Sequence, residues 1–197
     1  MNHQAAKMAV LNAQAFVDGH FVFADGEHAA VKIDMDHLWD HPAELRVVLN
    51  LLSKADGLPP ADVILGVPTG GQRLAEALAH PDYTGLPIDR LERVPGGEKR
   101  AFRFASHEDR RLALTAKSPR IYEDVVSTLS SVAGVVRLLK PSRQDIQALA
   151  IWRRGRVLEK YRQGITTHFL VEEAVTNYSP AECPACNFPG YAAMAHG

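Results

Sequence analysis

The spacing of apolar and polar positions predicts a helical and hairpin segment at the start of the chain. Apolar residues recur at helical spacing over residues 3–17, and the stretch "HFVFADGEHAAVKIDM" alternates as a β-hairpin does. Within that stretch, Asp25-Gly26 is the dipeptide that best fits a type I′ turn. A second helix is predicted from about Pro42 to Ser53, after which glycine and proline residues end it. We expect these elements to form a cap beside the main sheet.

From about residue 62 to residue 172, short β-rich runs alternate with helical segments. Strands are predicted in "ADVILGV", "LPIDRLERV", "RLALTA", "PRIYEDVV", "DIQALAIW" and "ITTHFLVEE". Helices are predicted in "QRLAEALAH", residues 131–140 and "RGRVLEKYRQG", and a loop in "PGGEKRAFRFASHEDR". Such alternation implies βαβ units and a parallel sheet. The predicted fold class is therefore α/β, with a central, mainly parallel sheet flanked by helices and an N-terminal helix/hairpin hood.

The chain is expected to form one domain, since 197 residues suffice for a complete core. Its parts would be the hood and helices at residues 1–58, the α/β core at 59–175 and a tail at 176–197. A net charge of −1 gives no sign of a nucleic-acid or membrane surface. The chain has no apolar run of membrane-spanning length, no secretory pattern in "MNHQAAKMAV" and only two cysteines, Cys183 and Cys186. These features favour a reducing cytoplasm.

Two loops at predicted strand ends have a composition that suits ligand binding, and ligands of open parallel sheets bind at the carboxyl ends of the strands. In "GVPTGGQRLA", Thr69 offers a hydroxyl, while Gly70 and Gly71 let the backbone approach a ligand closely. The alternative is an ordinary strand-to-helix turn, and the P-loop pattern is absent. In "RIYEDVVSTLSSV", the acids Glu123 and Asp124 precede four hydroxyl residues that would suit a phosphate: Ser127, Thr128, Ser130 and Ser131. The alternative there is a helix N-cap after a solvated strand end.

A third loop, from Val94 to Arg110, concentrates cationic side chains. Its basic residues are Lys99, Arg100, Arg103, His107 and Arg110, and Arg111 follows the loop directly. A mobile loop of this kind would close over a polyanion and exclude water. The alternative is a solvated surface loop, because Glu98, Glu108 and Asp109 are mixed among the bases.

Together these motifs resemble the type I phosphoribosyltransferases, and most closely the orotate phosphoribosyltransferases. "RIYEDVVSTLSSV" is similar to that family's phosphoribosyl pyrophosphate signature, and "DVILGVPTGGQRLAEALA" is similar to its pyrophosphate loop. "FVFADGEHAAVKIDMDHLWDHP" resembles the N-terminal hairpin of the orotate enzymes, "ALAIWRRGR" their later strand, and "YSPAECPACNFPG" a tail of some members. The resemblance spans nearly the whole chain in the correct order.

The chain departs from the family pattern at several positions. Leu129 stands where the family loop has glycine, and Ser130 where a second glycine is common. In the hairpin, Ala24 and Asp25 replace the usual lysine and serine, and Val31-Lys32 replaces aromatic residues. The usual Arg-Lys-x-x-Lys spacing of the catalytic loop is absent, and the available substitutes are Arg93, Lys99, Arg100 and Arg103.

The resemblance implies transfer of a 5-phosphoribosyl group to a nitrogen of a nucleobase, with release of pyrophosphate and Mg²⁺ as cofactor. It implies that residues 127–131 hold the 5′-phosphate and that Glu123 and Asp124 bind the ribose hydroxyls. It further implies that residues 69–71 receive the pyrophosphate, and that Lys99, Arg100 or Arg103 neutralises the leaving group. Arg153 would bind the base, with a surface arginine at the start of a helix as the equal alternative. Lys32 could replace the missing hairpin lysine, and a homodimer is implied.

Two other functions are compatible with the same residues. One is a phosphoribosyltransferase for a different base. The other is a non-catalytic protein that binds phosphoribosyl pyrophosphate or a nucleotide as a regulator, which Leu129 favours. Separately, Cys183-x-x-Cys186 has the spacing of half a zinc site, with His196 as the only later candidate ligand. We expect a structural tail there, with a metal link across a dimer as one form of it. Trp39 and Trp152 are expected in the core or at a dimer contact.

Overall fold

A computed structural model describes residues 3–23, 26–54, 57–96, 101–139, 145–187 and 194–196. The elements in chain order are α1 (His3–Asn12), β1 (Phe16–Phe23), β2 (His28–Ile33), a 3₁₀ helix (Met35–Asp40), α2 (Pro42–Ser53), β3 (Val63–Gly66), α3 (Gly70–Leu78), β4 (Ile88–Asp89), β5 (Leu91–Arg93), β6 (Phe102–Phe104), α4 (His107–Thr115), β7 (Pro119–Val126), α5 (Ser130–Val136), β8 (Ile146–Arg153), α6 (Glu159–Arg162), β9 (Ile165–Glu172), a 3₁₀ helix (Pro184–Asn187) and β10 (Met194–His196).

The centre of the fold is a five-stranded parallel sheet in the order β4-β3-β7-β8-β9. Every residue of β3 and all but one of β8 are buried. Burial on both faces explains why these strands appear in the sequence as continuous apolar runs without alternation. The predicted α/β class is confirmed.

The helices cover the two faces of the sheet in separate groups. Apolar residues of α1, α2 and α3 pack with Ile64 and Tyr122 on one face. Residues of α4, α5 and α6 pack with Leu65 and Ile121 on the other face. Neighbouring strand residues therefore belong to different halves of the core, as the two-residue period of a strand requires. Among the described residues, no helix is long and apolar enough to cross a bilayer.

The predicted N-terminal hairpin is present as β1 and β2, which we call the hood hairpin. The two strands are antiparallel, and β10 adds to the outer side of β1 in parallel. Phe16 packs edge-on against the buried Trp152 with ring centroids 5.0 Å apart, which fixes the hood to the main sheet. The expected core position of Trp152 is thus confirmed.

Two N-terminal predictions need correction. The first helix ends at Asn12, not residue 17, because Gln14 takes φ 54° and Phe16 already pairs with Ile33. In the hairpin turn, Phe23 donates its N–H to the Glu27 carbonyl. Three residues therefore lie between these two bonded residues, rather than the two of the predicted type I′ turn. Gly26 has φ +84° there, while Ala24 and Asp25 lie outside the described residues.

The region between β4 and β7 differs most from the prediction. "LPIDRLERV" is divided between two sheets, since β4 joins the main sheet whereas β5 pairs with β6. The predicted loop contains β6 and the start of α4, and the predicted strand "RLALTA" is the rest of α4. The Ser106 hydroxyl caps α4 by accepting from the Asp109 N–H, a Ser-x-x-Asp start signal that the surrounding charges obscured.

The last two predicted helices are shorter than expected. α5 spans Ser130–Val136, and the helix predicted in "RGRVLEKYRQG" is reduced to Glu159–Arg162. α2 and β7 keep the predicted bounds.

Candidate active site

Glu123 and Asp124 lie at the carboxyl end of β7, the central strand of the sheet. Glu123 is 8% exposed, and burial raises its pKa well above the ordinary value. Burial also raises the pKa of Asp124. A hydrogen bond between the two side chains raises the pKa of Glu123 further and lowers that of Asp124. Burial therefore disfavours the charged form of both acids, and a ligand that donates hydrogen bonds to them would favour it.

The predicted pyrophosphate loop packs directly on this acid pair. A Cβ atom at Gly70 would overlap the Asp124 carboxylate, and one at Gly71 would overlap the Tyr122 carbonyl oxygen. A larger residue would therefore displace the Asp124 side chain at position 70 and the backbone of β7 at position 71. The Pro68–Thr69 peptide bond is cis, and Thr69 precedes the first turn of α3. The loop that follows β3 and the acids that end β7 thus form one continuous surface.

Arg93, at the end of β5, reaches the same surface. Its Nη2 donates to the Pro68 carbonyl at 2.5 Å, and its guanidinium lies 5.7 Å from the centroid of the Phe102 ring. Its positive charge partly offsets the raised pKa of Glu123. The structure therefore brings this predicted cation to the acid pair.

The hydroxyl loop after β7 surrounds a cavity of about 100 Å³. The cavity is lined by Glu123 and by residues 125–132. The Thr128 and Ser130 hydroxyls are hydrogen-bonded at 2.8 Å, and the Thr128 carbonyl accepts from the Leu158 N–H. A Cβ atom at Gly155 would lie 2.8 Å from Ser127 Oγ, so the segment that follows β8 packs tightly against the loop. Glu123 and the hydroxyls therefore share one small polar cavity, which Asp124 does not line.

Comparisons with known proteins show what the sequence and the fold are similar to. No family model matches the chain. The orotate phosphoribosyltransferase of Caldicellulosiruptor saccharolyticus is 24% identical over 188 residues, which are 94% of this chain and 92% of that protein. The crystal structure of orotate phosphoribosyltransferase from Aeropyrum pernix superposes with a TM-score of 0.65 at 22% identity, over 87% of this chain and 93% of that one.

An APRTase from Giardia lamblia superposes with a TM-score of 0.60 at 17% identity, over 83% of this chain and 97% of that one. The chain has the fold of the type I phosphoribosyltransferases. The resemblance predicted from its motifs is thereby confirmed. Relatives named orotate phosphoribosyltransferase match over nearly the whole length of the chain.

Leu129, the main departure from the phosphoribosyltransferase loop, occupies a backbone position suited to glycine. Its φ is 71°, which costs a residue with a side chain about 1–2 kcal/mol. The side chain is 2% exposed and packs in the core with Val126 and Val132. Burying a leucine contributes about 1.5–3 kcal/mol, which offsets the strain. The loop therefore keeps its turn with leucine in the glycine position.

Other predicted site residues are engaged away from the acid pair. Arg103 bonds to Glu92 across the β5–β6 hairpin at 2.9 Å and lines a separate open groove of about 730 Å³. Lys32 bonds to Asp34 at 2.8 Å, and although burial alone would raise the pKa of Asp34, this ammonium group lowers it. Lys99 and Arg100 lie outside the described residues.

Arg153 is the last residue of β8 and Arg154 follows it, and their side chains contact different parts of the molecule. Arg153 bonds to Glu172 at 2.7 Å and lies over Phe169, on the face that α4, α5 and α6 cover. Arg154 lies 4.6 Å from the centroid of the Phe23 ring in the hood hairpin. It also donates to Asn177 Oδ1 at 2.7 Å. The arginine that faces the hood is therefore Arg154, which the sequence analysis passed over.

Arg73, on α3, is a second cation that the sequence analysis passed over. Its guanidinium lies 4.1 Å from the centroid of the Trp39 ring and 3.4 Å from Asp36 Oδ1. The charge of Asp36 contributes to the raised pKa of Asp124, so this group adjoins the site. Arg73 comes three residues after Gly70, and residues at this spacing are neighbours on a helix surface. That spacing was the sequence signal that could have linked Arg73 to the site.

Proposed function

We propose that the protein is an orotate phosphoribosyltransferase. It would transfer the 5-phosphoribosyl group of phosphoribosyl pyrophosphate to a ring nitrogen of orotate and release pyrophosphate. The observation that carries the proposal is the single surface formed by the acid pair, the Gly70-Gly71 loop and the hydroxyl-lined cavity. Relatives named orotate phosphoribosyltransferase that match over nearly the whole chain support the choice of orotate.

The hydroxyl loop would hold the 5′-phosphate. Thr128 and Ser130 already orient their hydroxyls toward one another, and Ser127 and Ser131 line the same cavity. A phosphate oxygen would accept hydrogen bonds from these groups, since each hydroxyl donates one. The turn at Leu129 fixes the spacing of the loop, so this end of the substrate would be anchored before the chemistry begins.

The acid pair would stabilise the ribose as it gains positive charge. Ribose hydroxyls donate hydrogen bonds to carboxylates, which favours the ionised form and lowers the raised pKa of Glu123. Two carboxylates buried beside the ring then stabilise an oxocarbenium-like transition state more than the neutral ground state.

The pyrophosphate would leave along the Thr69–Gly71 loop. Backbone N–H groups at the start of α3 suit an anion, and Arg93 adjoins the Pro68 carbonyl of the same loop. Asp124 is the carboxylate nearest this loop, and an oxygen donor of this type fits Mg²⁺. When bound, that ion would neutralise the diphosphate chiefly through the substrate's own oxygens. Lys99, Arg100 or Arg103 would complete the neutralisation when their loop closes. In a homodimer, this loop would close over the site of the neighbouring subunit.

The base would lie under the hood hairpin, where Arg154 contacts Phe23. An arginine fork matches a carboxylate in two parallel hydrogen bonds, and orotate carries a carboxylate. We therefore assign base recognition to Arg154 ahead of Arg153, which lies over Phe169 on the face that α4, α5 and α6 cover.

The test is pyrophosphate release from phosphoribosyl pyrophosphate and Mg²⁺ with orotate, uracil, adenine, guanine or hypoxanthine as acceptor. We expect release with orotate and formation of orotidine 5′-phosphate, with the other bases at least tenfold slower. Release with a different base would identify a phosphoribosyltransferase of other specificity. Tight binding of phosphoribosyl pyrophosphate without release for any base would identify the non-catalytic regulator instead.

A further inference from the structure

Four side chains with metal-binding atoms meet between the hood hairpin and the C-terminal tail. They are His20 and His28 of the hairpin and Cys183 and Cys186 of the tail, here called the hood–tail cluster. One ring nitrogen or sulfur from each lies within 4.8 Å of the other three. We propose that this cluster binds a structural zinc ion that fastens the tail to the hood hairpin. The proposal is independent of the reaction catalysed at the strand-end site.

The hairpin supplies two ligands from one face. The register of β1 and β2 shifts between Asp18 and Phe21, and beyond that shift Val22 pairs with His28. His20 and His28 are therefore diagonal neighbours on the same face, within reach of each other for long side chains. His20 Nε2 and His28 Nδ1 are 2.9 Å apart.

The tail is held in register with the hairpin by backbone bonds. Tyr178 and His28 exchange both N–H···O bonds, at 2.9 and 2.8 Å. The 3₁₀ helix Pro184–Asn187 then carries the second cysteine, and the Cys186 N–H bonds to the Cys183 carbonyl. This local turn places both sulfurs against the histidines, although Cys186 is 166 residues from His20 in the chain.

The distances among three of the ligand atoms approach those of one face of a coordination tetrahedron. Cys186 Sγ lies 3.1 Å from His28 Nδ1 and 3.4 Å from His20 Nε2. Zn–N and Zn–S bonds of standard length place such ligand atoms roughly 3.3–3.8 Å apart. The three observed separations, 2.9, 3.1 and 3.4 Å, lie within or slightly below this range, so a small outward adjustment of the side chains would let one ion bind all three atoms. Both cysteines are free rather than joined in a disulfide.

The ligand set selects zinc. Two thiolates and two imidazoles in a tetrahedral arrangement suit Zn²⁺, whereas Mg²⁺ prefers oxygen. Coordination through His20 Nε2 leaves the proton on Nδ1, which is buried and has no hydrogen-bond partner among the described residues. One unpaired donor is a small penalty beside four metal–ligand bonds.

The ion would also stabilise the hood over the substrate site. Within the hairpin, Phe23 contacts Arg154, and Glu27 accepts from Asn177, which in turn accepts from Arg154. β10 extends the contact by pairing with β1 beyond the cluster. Fixing the tail therefore fixes the hairpin that faces Arg154.

The experiment measures the metal directly. The untagged full chain, purified from zinc-supplemented cells without chelator, should contain about one zinc per chain by elemental mass spectrometry. Replacement of zinc by Co²⁺ should give the visible bands of tetrahedral cobalt together with thiolate-to-cobalt charge transfer. A strong chelator should lower the Tm.

Cys186→Ser and His28→Gln should each lose most of the zinc and the sensitivity of the Tm to chelator. Ser179→Ala, which alters the same tail without removing a ligand, and His80→Gln, which removes an exposed histidine elsewhere, should keep both. Should Cys186→Ser be insoluble, the cobalt spectrum of the wild-type protein and the zinc content of His28→Gln still decide the matter.

Three results would overturn the proposal. The first is wild-type protein that contains little zinc and also gives no tetrahedral cobalt spectrum. The second is zinc content in Cys186→Ser or His28→Gln equal to that of the wild type. The third is loss of zinc in Ser179→Ala as complete as in Cys186→Ser.

Discussion

The strand-end site and the hood–tail cluster both gather polar side chains, but the chain builds them in opposite ways. The strand-end site takes its acids and hydroxyls from one unbroken stretch, residues 123–131, and one neighbouring loop. The hood–tail cluster joins residues that lie 158 and 166 positions apart. A contiguous site can be recognised from its order of residue types, whereas a dispersed one exists only after folding.

The two regions also affect stability in opposite directions. At the strand-end site, burial raises the pKa values of two carboxylates, so their ionisation destabilises the folded protein without ligand. At the cluster, a bound ion would stabilise the fold, because the unfolded chain has no preformed site. Changes in the first region should therefore separate activity from stability, and changes in the second should alter stability and metal content together.

The largest expected effect concerns the strained turn within the strand-end site. Leu129→Ala should lower the free energy of unfolding by about 2–5 kcal/mol, because it removes a buried side chain and keeps the strain. Leu129→Gly should be about 1 kcal/mol more stable than Leu129→Ala, because glycine takes a positive φ without penalty. Urea denaturation of the pair measures the difference. Equal stability would show that position 129 does not hold a positive φ.

The next effect separates catalysis from folding. Asp124→Asn should lower kcat by roughly 10²–10³-fold, or about 2.7–4 kcal/mol of barrier, because it removes a charge positioned for the transition state. Lys99→Ala should also lower turnover strongly. Neither change should lower the Tm or the zinc content, and Asp82→Asn, an exposed carboxylate beside His80, should leave all three unchanged. Near wild-type activity in both variants would remove the assigned roles.

Asp89 provides a reference for a buried carboxylate that belongs to neither region. It is fully buried on β4, and its carboxylate oxygens have no hydrogen-bond partner among the described residues. Burial, together with the charges of Asp109 and Glu108, raises its pKa from 3.8 to about 7. Between these two values the folded protein holds a proton that the unfolded chain has released, so this residue destabilises the fold as pH rises.

Asp89→Asn removes that titration. Relative to the wild type, its free energy of unfolding should increase by roughly 2–3 kcal/mol between pH 5 and pH 8. Denaturation of both proteins at the two pH values measures the change, and the other titrating groups cancel in the comparison. A difference that does not vary with pH would mean that Asp89 ionises in the folded protein with an ordinary pKa.

The smallest effect tests the residue that links the two regions. Arg154→Gln should raise the KM for orotate by about tenfold or more, because a hydrogen bond to a charged group contributes about 1.5–3 kcal/mol. Arg153→Gln should change the KM less, since its side chain lies over Phe169 on the face that α4, α5 and α6 cover. Steady-state kinetics at saturating phosphoribosyl pyrophosphate measures both. The reverse order would return base recognition to Arg153, the assignment that the resemblance implied.

Some sequence predictions failed where local signals were weak or conflicting. α4 was divided between a loop and a strand because its capping serine, Ser106, stands among charged residues. α6 was predicted too long because helical propensity extends beyond the four residues that are helical. The three predicted parts of the domain and the role of each site residue remain predictions that the experiments above address.

The sequence by itself determined the α/β class, the bounds of α2 and β7, and the contiguous order of acids and hydroxyls. These features depend on local periodicity and on neighbours in the chain. The tertiary structure alone decided that Arg93 reaches the acid pair while Arg103 bonds to Glu92, and that Arg154 rather than Arg153 faces the hood. It alone brought His20 and His28 to the cysteines of the tail. The physical reason is that strand order, strand register and the face on which a side chain emerges are set by packing across the whole sheet.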